Sequence, residues 1–181
     1  SATQEKTKSA GRGSEMKYQI SKKMVELKRD IEAMVLSDNV AVIGSSSVAR
    51  KSSGLGAMIY TNISHGGAGA TPAHATSLAD TPQIAGTNRA FTETLLKTVS
   101  QATYTTSGEF PSLISLTPSH KGTFSAFAGI ASNRYQVAKG KQGVIVGGAD
   151  VYMSDFGELT AVPNYVQATA NANTVFILNP E

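Results

Sequence analysis

The chain has 181 residues, no cysteine, 40% apolar and 16% charged residues, and a formal charge of +3. That length buries a core in one domain or two small ones, and the composition is that of a folded protein rather than a disordered one. The lack of cysteine excludes a disulfide scaffold, a thiolate metal site and a cysteine nucleophile, and three scattered histidines, His65, His74 and His120, argue against a zinc site.

The first predicted element is a long helix from about Ser14 to about Leu36. Met16, Ile20, Met24, Leu27, Ile31 and Met34 recur at spacings of three and four, which lines them along one stripe of a 3.6-residue period. Ser14 supplies an N-cap and Ser37, Asp38 and Asn39 a polar stop. The outer face mixes Lys22, Lys23, Glu26, Arg29, Asp30 and Glu32, so the stripe is expected to pack into the core beneath a solvated charged face.

Val40 to Ile43 reads as a short buried strand or extended segment, followed by a Ser/Gly-rich stretch from Gly44 to Gly56. From Asn62 to Asn88 the chain is small, polar and irregular, and a loop of that length is expected to be a surface excursion that touches neighbours. A second helix is predicted from Thr92 to Tyr104, with Leu95, Leu96, Val99 and Ala102 inward and Gly108 as its stop. Leu113 to Leu116 is a strand, and a third helix is predicted from about Ser119 to Gly129. Strand signals follow at Gly143–Val146, Val151–Ser154, Leu159–Val162 and the run before Asn179, with a turn at Asp155 to Glu158. Helices first and a hairpin-rich sheet later define an α+β layout. The chain opens without methionine and ends just after a strand-like run, so both ends are expected to be cuts in a longer protein.

Asp155-Phe156-Gly157 matches a kinase magnesium motif, but the strand lysine, Gly-rich loop and catalytic loop that phosphoryl transfer also needs are missing. The Gly140-Lys141 step is followed by Gln142 and lacks the preceding glycine of a Walker loop. After Gly54-Leu55-Gly56, Ile59 stands where a dinucleotide fingerprint requires its third glycine. No Gly-x-Ser-x-Gly elbow surrounds any serine, Ser45 to Ser47 included. Asp150 and Asp155 are expected on opposite faces of a strand, and His120 beside Lys121 at a helix start reads as an anion contact or a surface histidine. No catalytic, cofactor-binding or metal-ligating residue is therefore assigned. No run reaches the roughly 18 apolar residues of a membrane span. Basic residues are denser before Lys51 than after it, which suits either a solvated face or an anionic neighbour.

Taken in order, several segments resemble one family. They are Thr3-Gln4-Glu5, Ala10 to Met16, the charged helix around Glu26 to Glu32, Ala49-Arg50, Gly54 to Ala57, Thr92-Glu93 with Leu95-Leu96, and Lys121 with Phe124 to Gly129. Asp150 to Gly157, Val162-Pro163-Asn164 and Leu178 to Glu181 complete the series. The family is the major head proteins of tailed bacteriophages, of the Hong Kong 97 type of capsid fold. The resemblance implies a peripheral domain in residues 1–54 carrying a spine helix over about 14–36. It implies an axial domain of mixed sheet and flanking helices in 55–166, and a returning strand in 167–181. It further implies a non-enzymatic, cofactor-free subunit with no small-molecule substrate that assembles with copies of itself into hexamers and pentamers. Other head proteins and non-specific contact with packaged DNA are the further partners implied, in a virion assembled in the bacterial cytoplasm. Two alternatives stay open: a non-catalytic binding module such as a surface or tail protein, which would lack the long helix or leave it exposed, and a serine hydrolase, which would place a serine at a sharp turn beside a histidine.

Overall fold

The structure, a computed structural model, describes residues 14–74, 79, 81–127 and 148–180. Helix α1 spans Glu15–Val35. Ser14 Oγ accepts the N–H of Lys17 at 3.4 Å, and Glu15 sits in the first turn, where a negative charge meets the positive end of the helix dipole. A short helix, α2, spans Leu55–Met58. Helix α3, Glu93–Ser107, is capped by Thr92 Oγ1 accepting from Leu95 N–H, and ends at Gly108 in the left-handed conformation, φ 76°. Glycine is suited to that position because a Cβ there meets the neighbouring carbonyl.

Strand β1 is Leu113–Leu116, and helix α4, Pro118–Ser125, starts directly after it. Thr117 caps α4 by accepting the N–H of His120, and Pro118 fills the first turn, where its missing N–H costs nothing. β2, Val151–Ser154, and β3, Gly157–Pro163, form a hairpin. A one-turn helix, α5, Gln167–Ala170, and strand β4, Phe176–Leu178, complete the described elements.

The sheet order is β2-β3-β1-β4. β1 runs parallel to β3, pairing Ile114 with Ala161, and antiparallel to β4, pairing Ile114 with Ile177. The result is an α+β arrangement around a mixed sheet. Strand alternation puts Ile114, Leu116, Tyr152, Leu159 and Ala161 on one face, where they pack with Leu96, Phe124 and Phe127 into the core. Behind the sheet, Ser115 donates to Gln167 Oε1 at 2.7 Å and Gln167 Nε2 donates to the Thr174 carbonyl at 2.7 Å. Gln167 is fully buried, and these bonds satisfy both ends of its amide.

Several expectations change. Of the two readings of Val40 to Ile43, the buried strand fails: Val42 pairs with Lys51 in an isolated bridge, Ala41 donates its N–H to the Ala79 carbonyl at 2.8 Å, and Ile43 is exposed. The predicted Ser119–Gly129 helix starts a residue earlier and stops at Ser125, with Phe127 beyond it in the core. The strand expected at Gly143–Val146 lies outside the described residues. The largest change concerns α1, none of whose residues is buried.

Candidate functional site

The residues that the sequence offered as chemistry hold the fold together. Asp155 and Phe156 form the β2–β3 turn, where Ser154 Oγ accepts the N–H groups of Phe156 and Gly157, both at 3.2 Å. Lys121 Nζ donates to Asp150 Oδ1 at 2.9 Å and to the carbonyls of Ala149 at 2.5 Å and Ala161 at 3.1 Å, so its three donors pin α4 to the hairpin. Asp150 and Asp155 sit beyond opposite ends of β2 and do not converge. His120 is half-buried, with Nδ1 2.9 Å from Thr117 Oγ1 and its ring edge-on to Phe91, and burial pushes its pKa below the usual histidine value. Ser45 and Ser47 bond each other on an exposed bend. Among the described residues no cluster of histidine and acidic side chains is arranged to hold a metal, and no helix is long and apolar enough to cross a membrane.

What the fold does present is apolar surface. Met16, Ile20, Met24, Leu27 and Ile31 on α1 are each 41–55% exposed, so the stripe expected in the core stands open except at Met34, which is partly buried. At about 1.5 Å per residue it runs for roughly 30 Å, and so continuous an apolar row marks a contact surface. A second surface lies on the hairpin, where Val151, Met153 and Val162 point away from the core and Phe156, at the turn, stacks on Tyr104 at 5.4 Å between ring centroids.

The loop expected from Asn62 to Asn88 is described in part. It folds back on itself through an Ala70–Ile84 bridge and walls a cleft of about 450 Å³. Ile59, Ile63, Phe91, Leu95 and Val175 supply the apolar lining, with His65 and His120 among the polar groups. His65 Nδ1 lies 3.3 Å from Gln83 Nε2, whereas its Nε2 is buried without a partner among the described residues.

The contacts that place α1 were not foreseen. Asn164 Nδ2 donates to Glu32 Oε1 at 2.6 Å, Arg29 lies over the Tyr165 ring at 5.6 Å, and Asn171 Nδ2 donates to Asp38 Oδ1 at 2.7 Å. Burial pushes the Asp38 carboxyl up, against the lowering effect of that last bond. Val162-Pro163-Asn164 stood out in the sequence only as part of a resemblance, and no local pattern links it to a helix more than a hundred residues earlier.

A mixed α+β domain that offers a long open apolar helix face and an apolar hairpin face belongs to the class of proteins built to meet other chains. The comparison with protein families specifies the class: the chain belongs to the SU10 major capsid protein family, whose model matches residues 1–181. It is a phage major capsid protein, a structural component of the virion that associates with its own kind in the shell. A search of curated proteins gives no match.

Proposed function

We propose that this chain is the repeating tile of an icosahedral phage head, assembling into hexamers and pentamers that enclose packaged DNA, on a capsid fold of the Hong Kong 97 type. The observation that carries the reading is the family match along the whole chain. In this reading residues 1–54 belong to a peripheral domain with α1 as its spine, 55–166 to an axial domain, and 167–181 to a strand returning to the periphery. Function then consists of burying complementary surface between symmetry-related copies, with no catalytic, metal or cofactor site. Assembly takes place in the host cytoplasm, and other head proteins and non-specific DNA contacts are its further partners.

The exposed α1 stripe is also what a non-catalytic surface or tail module would show, and the family match decides between the two. In the head, the stripe is covered by capsid protein of the same kind. Negative-stain electron microscopy with light scattering on the full-length protein tests this. Closed shells, or rings of five and six, are expected; a particle that stays monomeric at every concentration would sink the proposal and revive the binding module.

A further inference from the structure

We propose that the cleft beside β4 is a strand-receiving site, which takes an extended segment of a neighbouring copy of this chain and adds it to the sheet.

The sheet has an open edge there. β4 is the last strand in the order β2-β3-β1-β4, so among the described residues it has a strand on one side alone. Antiparallel pairing with β1 uses the N–H and C=O groups of alternate residues, and the residues between turn theirs away from β1. Among the described residues no backbone group from outside the sheet bonds to Phe176, Ile177 or Leu178. Side chains alternate between the two faces of a strand, so a cavity on one face touches every second residue, whereas the cleft touches all of residues 173–179. It therefore runs along the backbone edge. Edge strands that must stay single are guarded by charges or proline, and Val175, Phe176, Ile177 and Leu178 supply neither.

The rest of the cleft suits an added strand. Leu95, Val99 and Thr103 recur every four residues along one face of α3 and line it together with Ile59, Ile63 and Phe91. Among the described residues that line it only Arg89 carries a permanent charge, and its guanidinium donates to Ser64 Oγ at 2.6 Å. Such a lining bonds the backbone of an extended segment along β4, about 4.8 Å away, and meets aliphatic side chains on the α3 side. Each copy carries this cleft once and so needs one guest. In a shell of identical chains a neighbour meets that count, and a contact in which one copy gives a segment and the next receives it closes into a ring. The choice of guest rests on the shell reading, whereas the open edge is a property of the single chain.

Hydrogen exchange of the full-length protein, read by mass spectrometry on the peptide 173–179 before and after association, tests this. Association is expected to slow its amides about tenfold or more. Thr61→Trp and Val99→Trp, which fill the cleft from the loop and from α3, are each expected to abolish that slowing at an unchanged thermal midpoint. Thr61 is exposed, so its variant keeps the test decisive even if Val99→Trp fails to fold. Thr98→Trp, on the exposed side of α3, is expected to leave the slowing as in the native chain. Rings or shells whose 173–179 amides exchange as fast as in the dispersed protein would overturn the cleft and leave the shell reading standing. Filled variants that associate with undiminished slowing would overturn it as well. A native chain that stays monomeric at every concentration would overturn the shell reading and the guest together.

Discussion

His120 sits where three influences meet: α4 begins at its backbone, Phe91 packs against its ring, and the cleft opens beside it. Burial holds its folded pKa below the 6.5 of an exposed imidazole. As pH falls through that value the unfolded chain takes up its proton first, so stability is complete above about 6.5 and declines until pH passes the folded pKa. The thermal midpoint is expected to drop between pH 7.5 and 5.5, and His120→Gln to reduce that drop; equal drops in both proteins would refute it. Ser100, 3% exposed in the middle of α3, carries the opposite lesson, for its Oγ is buried with no partner among the described residues. Ser100→Ala removes an unsatisfied hydroxyl and improves helix propensity, and is expected to stabilise by about 1 kcal/mol in urea titrations.

Elements were legible where their causes are local. Ser14 as a cap, Gly108 as a stop and Asp155-Phe156-Gly157 as a turn act within a few residues, and α1, α3, β1, the hairpin and β4 stand close to where the sequence places them. The failures share a different cause. Val40 to Ile43 has the composition of a strand, yet its partners are scattered: Val42 pairs with Lys51 in an isolated bridge and Ala41 donates to the Ala79 carbonyl, so no ladder forms. α5 is a single turn, too short for any periodicity, and its central contribution is a buried polar residue, Gln167. The parallel β1–β3 pairing joins segments more than forty residues apart, which no local signal encodes. For α1 the periodicity was sound but silent about what covers the stripe.

That difference between helices has a measurable consequence. α3 places Leu96, 1% exposed, in the core, so Leu96→Ala is expected to cost about 2–5 kcal/mol in urea unfolding. α1 fully buries none of its side chains, and helices depend on tertiary packing to stay closed. In the dispersed chain its amides from Gln19 to Arg29 are expected to exchange hydrogen far faster than those of β1. Slow exchange along all of α1 in that state would contradict it.

At the scale of the whole molecule, the core and the proposed assembly surface lie apart. The core joins the sheet to α3 and α4, whereas the α1 stripe contributes to neither, so the two separate by mutation. Leu27, 52% exposed at the middle of the stripe, is the position at which a charge tests this. In the dispersed chain Leu27→Asp stays hydrated and is expected to change stability by no more than about 0.5 kcal/mol. In a shell that buries the stripe, the same carboxylate must leave water without a partner, a penalty of several kcal/mol for every copy. Because each subunit repeats the defect, the penalty multiplies over the shell, and even a modest cost per copy removes closed particles from the equilibrium. Sedimentation of Leu27→Asp is expected to show folded, unassembled protein with a native circular dichroism spectrum. Shells that form normally from it would mean that the stripe faces solvent in the head, and that assembly runs through the hairpin face of Val151, Met153 and Val162 instead.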